Sequence, residues 1–148
     1  MKLEDALRGV TALGLDSAPL IYFVEAHPEF DARVTAVFQC IDRRQFVAVT
    51  SMISLVEVLT KPISVKNVKL ANEYRELLLK SENFSTVPID AAISERSADL
   101  RARYNLRTPD AIQIAAALNA GCQAFLTNDA KLKRVTDLRV LVLGELSL

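Results

Sequence analysis

The stretch LGLDSAPLIYF, residues 13–23, decides how this chain is read. An apolar run, Leu13 to Leu15, halts at Asp16, and Ser17 and Pro19 then open a second apolar run. The first run reads as a short buried strand over 13–16, with Asp16 where the strand surfaces. Ser17 is expected to cap a helix over 18–25, with Pro19 tolerated in the first turn, where its missing N–H has no partner to lose. That helix, APLIYFVE, is apolar on most sides and should be buried. Strand, acid, buried helix is the opening of an alternating α/β chain.

The remaining sequence continues the alternation. His27-Pro28 ends the first helix, and a second carries Phe30, Val34, Val37, Phe38 and Ile41 on one stripe at helical spacing. FVAV (46–49) is β-branched and aromatic enough for a strand. Thr50 or Ser51 then caps a helix through Leu59, with Pro62 expected just beyond its end. Residues 65–80 form an amphipathic helix with Leu70, Tyr74, Leu77 and Leu78 inward. FSTVPI (84–89) is a strand whose proline places it near an edge. Asp90 caps a helix to Tyr104, Thr108-Pro109 opens another to Asn119, and Gly121 stops it. QAFLT (123–127) and RVLVL (139–143) are the last strands, and residues 3–9 read as a short leading helix. The expected fold is a three-layer α/β/α sandwich around a central, mostly parallel sheet of about five strands, one domain covering 1–148.

Composition narrows the function classes. Eighteen Lys and Arg balance eighteen Asp and Glu, which argues against a general nucleic-acid coating protein. An enzyme that cuts nucleic acid is still compatible, because bound metal ions supply positive charge locally. Cys40 and Cys122 belong to no C-x-x-C pair and read as reduced thiols in the core, not as a zinc site. The start, MKLEDALRGV, has acids where a signal peptide needs a cationic start and an apolar centre. No apolar run approaches the ~18 residues of a membrane span. A cytoplasmic protein without membrane partners is expected.

Four acids stand out. In parallel sheets, ligands bind beyond the carboxyl ends of the strands, where strand order reverses. Asp16 sits at one such end, and Asp129 lies two residues beyond the next strand, in AFLTND. Asp110 opens a helix, where the dipole favours anions. Glu57 lies in SMISLVEVL, off any clear polar stripe, and a carboxylate there is expected to lose hydration. Each has an ordinary explanation as a cap, a turn residue or an ion-pair partner. Together they fall on one side of the sheet. Four gathered carboxylates repel, and hard divalent cations relieve that. Oxygen-only ligation suits Mg²⁺ or Mn²⁺ over Zn²⁺. The chemistry then expected is phosphodiester hydrolysis with no side-chain nucleophile.

With LDSAPLIYF, SMISLVEVL, TPDAIQIAAAL and FLTNDAKL in that order between residues 13 and 133, the sequence resembles a PIN domain. It is similar to the toxin subunits of VapBC toxin–antitoxin systems, small metal-dependent endoribonucleases. The resemblance implies Asp16, Glu57, Asp110 and Asp129 as the metal-binding and catalytic acids. It also implies a role for the Thr127 hydroxyl and for Ser17, an RNA substrate (tRNA among the candidates), a homodimer and a small antitoxin protein. Two features depart from the pattern: Ala18 stands where many members carry asparagine, and about a dozen residues precede the first strand.

Substrate contacts are expected from basic residues flanking the acids. Arg96, Arg101, Arg103 and Arg107 lead up to Asp110, and Lys131, Lys133 and Arg134 follow Asp129. Arg103, Arg107, Lys131 and Ser17 are the candidates. Two other functions compete. One is a non-catalytic PIN module that binds RNA or protein. The other is a phosphatase or phospho-acceptor domain, disfavoured by Ala18 where a second aspartate is needed and by the absence of lysine in RVLVLGEL.

Overall fold

A computed structural model describes residues 1–148. Five strands form one all-parallel sheet: β1 (Ala12–Leu15), β2 (Val47–Ser51), β3 (Phe84–Val87), β4 (Ala124–Thr127) and β5 (Arg139–Val142), in the order β3-β2-β1-β4-β5. The helices are α1 (Leu3–Ala6), α2 (Ser17–Val24), α3 (Asp31–Asp42), α4 (Met52–Ser64), α5 (Val68–Lys80), α6 (Ala91–Tyr104) and α7 (Thr108–Asn119). The expected α/β/α sandwich is present, and the proline-containing segment FSTVPI does supply an edge strand.

Both faces of the sheet are covered, so β1 is buried at every position and shows no alternation. The pleat still sorts its side chains. Leu13 and Leu15 pack with Leu20, Val34, Phe38, Val58, Tyr74 and Leu126 on the α2–α5 side. Ala12 packs with Ile93, Leu100, Ala111, Ile114 and Phe125 on the α6–α7 side. Gly14 faces that second side too, and α7 lies so close that a Cβ there would stand 2.6 Å from the Ala117 Cβ and 2.9 Å from Phe125 Cδ1. The glycine lets helix and sheet approach. The ends of the chain are tied together: the Leu3 amide donates to the Ser147 carbonyl at 2.7 Å and the Ser147 amide to that of Met1 at 2.9 Å.

Several local expectations change. Ser17 is the first residue of α2 and not its cap; Asp16 caps it, its Oδ1 accepting from the Ser17 amide at 2.9 Å. Pro62 lies inside α4, which runs on to Ser64. A proline removes one amide and crowds the carbonyl four residues back. Here it falls in the last turn, where little helix remains to be disrupted, and its ring is buried. The next helix starts later than expected, at Val68, with Asn67 Oδ1 accepting from the Leu70 amide. The leading helix stops at Ala6. Cys40 and Cys122 are free thiols, and burial pushes Cys122 up to about 11. No helix is long and apolar enough to cross a membrane.

Candidate active site

Strand order places the site. From β1 the chain builds outward through β2 to β3, then returns by α6 and α7 to lay β4 on the other side of β1. The carboxyl ends of β1 and β4 therefore flank the crevice where the connections diverge. Leu15 pairs with Leu126, and the Asp16 amide donates to the Leu126 carbonyl at 3.0 Å. One residue further along each strand, the Thr127 hydroxyl donates to Asp16 Oδ2 at 2.7 Å. Thr127 Oγ1 in turn accepts from the Asp129 amide at 3.1 Å. Fully buried Thr127 thus ties the first acid to the loop carrying the last.

Asp16 is the most perturbed acid. Burial raises it from its ordinary 3.8 to about 6, against the lowering effect of the Thr127 and Ser17 hydrogen bonds, and the fields of Asp110 and Glu57 push it further up. Those fields show that residues 94 and 41 positions away lie at hand. Asp110 is held in the first turn of α7, its carboxylate accepting from Arg107 Nε at 3.2 Å. Asp129 caps a short 3₁₀ turn, Ala130–Arg134, through the Lys131 amide. A cavity of about 440 Å³ opens here, lined by Asn105, Arg107, Asp110, Asp129, Lys131 and Arg134 with Leu132 beneath.

Glu57 is where the expectation of lost hydration fails: it is exposed. Helix α4 is apolar on nearly every side, so its sequence does not say which side enters the core. In the fold Ser54, Val58 and Pro62 turn inward, leaving Glu57 on the rim of the crevice and Val56 and Ile63 in solvent. Glu57 is oriented from below. The Ser17 hydroxyl donates to its Oε1 at 2.7 Å.

Beneath that contact lies a polar network absent from the sequence-based expectations. Gln113 of α7, 2% exposed, donates from Nε2 to Ser17 Oγ at 3.2 Å and to Ser54 Oγ at 2.5 Å, while its Oε1 accepts from the Ser51 hydroxyl at 2.7 Å. Thr50 donates to the Leu15 carbonyl at 2.9 Å and touches Ser54 at 2.8 Å. One amide therefore joins α2, β2, α4 and α7 under the acids. A signal was available: Ser54 and Gln113 each stand three residues from an acid, Glu57 and Asp110, inside otherwise apolar helical stretches. Gln113→Leu is expected to cost about 2–4 kcal/mol in urea unfolding, since it strands three buried hydroxyls. An unchanged midpoint would mean the network contributes little.

The basic candidates separate. Arg103 binds Asp137 with both terminal nitrogens, at 3.1 and 2.8 Å, and Asp99 through Nε at 2.9 Å, and it does not line the cavity. Arg107 and Lys131 do line it. Ser17, 7% exposed, faces the network, not the solvent.

The donor chemistry fits a hard divalent cation: oxygen ligands only, with Asp16 driven up by burial and further by neighbours of its own sign. No three His, Cys, Asp or Glu side chains are drawn together tightly enough to enclose an ion as the chain stands. The nearest positive charge is the Arg107 guanidinium on Asp110.

A doubly wound parallel sheet with acids at its switch point defines a class of α/β proteins, and comparison narrows it. The PIN domain profile matches residues 15–138, so the chain belongs to the PIN domain family. No curated protein sequence gives a significant match. Among solved structures, a toxin–antitoxin complex from Klebsiella pneumoniae is similar at 25% identity, covering 90% of this chain and 98% of that one, with TM-score 0.64. VapBC2 from Rickettsia felis, bound to a DNA fragment from its promoter, is similar at 14% identity over 89% and 98%, TM-score 0.67. DNA-bound VapBC from Salmonella typhimurium is similar at 15% identity over 90% and 98%, TM-score 0.67.

Proposed function

We propose that this protein is a Mg²⁺- or Mn²⁺-dependent endoribonuclease and the toxin of a toxin–antitoxin pair. The observation that carries the reading is Asp16, raised by burial and by Asp110 and Glu57 at the carboxyl end of β1. Carboxylates gathered at a strand end suit a divalent cation, and the basic side chains on the cavity wall beside them suit an anionic substrate. Asp16, Glu57, Asp110 and Asp129 are the residues to hold the ion. When bound, it would supply the Lewis acidity that phosphodiester hydrolysis requires. The chain's own part is positioning. Thr127 fixes Asp16 against the Asp129 loop, and Ser17, steadied by Gln113, aims Glu57. Lys131 and Arg107, at the cavity wall, are placed to receive phosphates on either side of the cut.

Membership of the PIN family and the toxin–antitoxin complexes among the structural neighbours support an antitoxin partner. The surface we assign to partners, an antitoxin or a second copy in a homodimer, is the outward ridge of α4. Val56 and Ile63 are 61% and 56% exposed there, flanked by Leu55 and Leu59. It adjoins Glu57, so a protein seated on it would also crowd the crevice. We place the protein in the cytoplasm, as one domain.

Incubation of the purified protein with a tRNA pool tests the reading. Cleavage is expected with Mg²⁺ or Mn²⁺ and is expected to stop with EDTA. Cleavage that persists in EDTA would remove the metal-dependent mechanism. No acid-dependent Mn²⁺ uptake and no cleavage of any RNA would favour a non-catalytic binding module instead.

A further inference from the structure

Arg107 is the one basic side chain in contact with an acid of the cluster. Its Nε donates to Asp110 Oδ2 at 3.2 Å, a single contact and not a fork. The arginine side chain is 76% exposed and the aspartate 14%, so the guanidinium reaches in from solvent toward a fixed carboxylate. Glu57 and Asp129 also act on it through their fields. One positive charge thus faces three of the four acids.

Of the neighbouring cations, Lys131 shares the cavity wall but touches no acid of the cluster with its side chain, and the others are committed elsewhere. Arg103 is held by Asp137 and Asp99, Lys133 by Glu145 at 2.7 Å, Arg134 by the Asn105 carbonyl at 2.9 Å and Arg101 by that of Leu106 at 3.0 Å. Arg107 has no such second anchor. It precedes α7 in extended backbone, so its side chain can swing about the helix start without disturbing the core.

We propose that Arg107 is a built-in counter-ion of the acid cluster, holding Asp110 while no divalent cation is bound and released to grip an RNA phosphate once one is. An exposed single-point ion pair is weak. Asp16, Glu57, Asp110 and Asp129 would hold a doubly charged ion more strongly than Asp110 holds one exposed guanidinium, so Arg107 would yield its place and turn outward from the like charge. Its planar donor set suits a phosphate, and the cavity it lines is where the backbone would lie. The device lessens the repulsion in the empty site and makes tight RNA binding depend on the ion. The inference rests on the nuclease reading.

The test compares wild type with Arg107→Ala, Arg107→Lys, Arg103→Ala and Asp16→Asn, folding of each checked by thermal melting. Mn²⁺ is titrated calorimetrically without RNA. A 2′-O-methyl oligoribonucleotide, which cannot be cut, is then titrated in Mn²⁺ by fluorescence anisotropy. Removing Arg107 is expected to tighten Mn²⁺ binding about 3–10-fold and weaken oligonucleotide binding about 5–20-fold, with the salt slope lowered by about 1. The lysine variant should recover part of both effects, and Arg103→Ala should change neither. Wild-type Mn²⁺ uptake that is lost in Asp16→Asn but unchanged or weakened in Arg107→Ala would overturn the counter-ion role alone. Absence of acid-dependent uptake in the wild type would sink the nuclease reading, and this proposal with it.

Discussion

Asp16→Asn is expected to lower RNA cleavage on the order of a thousandfold and yet leave the metal-free protein more stable at neutral pH. The two effects share a cause. Asp16 is raised to about 6 because the fold removes water from it and sets Asp110 and Glu57 beside it. A carboxyl whose value is higher folded than unfolded contributes stability that is fully present below about 3.8. That stability is lost as pH rises through about 6. At pH 8 the metal-free wild type therefore carries an ionised Asp16 at a cost on the order of 2–3 kcal/mol. Asparagine caps α2 as well as aspartate does, but its amide meets the Thr127 hydroxyl less favourably. A net gain of about 1–2 kcal/mol is expected at pH 8 in EDTA, shrinking toward zero near pH 3.5. Urea unfolding at both pH values checks it. Equal or lower stability of the variant at pH 8 would mean that the ionised, buried Asp16 costs the fold nothing.

Gly14→Ala is expected to be the most damaging single-methyl change in the sheet, at about 3 kcal/mol. The new Cβ would stand 2.6 Å from the Ala117 Cβ and 2.9 Å from Phe125 Cδ1, so β1 and α7 must part. Neither contact is the far end of a flexible chain. The strain would reach the crevice, because Asp16 follows Gly14 by two residues and α7 carries both Asp110 and Gln113. Lower activity should accompany the lower melting temperature. Adding Ala117→Gly removes the closer clash and should restore part of the loss, although glycine in a helix interior itself costs about 1 kcal/mol. A double variant as unstable as the two singles combined would show that the contact is not the cause.

The order of elements could be read from the sequence because nearly every boundary carries a local marker. Asp90 before α6, Thr108-Pro109 at α7 and Gly121 after it act within a turn of chain. The gathering of Asp16 with Asp129 follows from strand ends alone once the sheet is parallel and β1 adjoins β4. What escaped the sequence were features set by partners distant along the chain. Ser17 has the composition of a cap, yet Asp16 takes that place and the Ser17 hydroxyl is drawn to Glu57. Pro62 reads as a stop, yet a last turn tolerates it. Glu57 reads as buried because α4 is apolar all round, and only the packing of Ser54 and Val58 decides which side faces out. Gln113 stands out as a polar residue in an apolar helix, but nothing local names the three serines it joins.

That shared amide has a consequence for how substitutions combine. Ser17, Ser51, Ser54 and Gln113 come from separate elements but exchange hydrogen bonds in one dry cluster, so their energies are not separable. Epistasis should be strong among them. Losing a second member ought to cost far less than losing the first, and a lineage that drifts at one of the four is under pressure to change the others together.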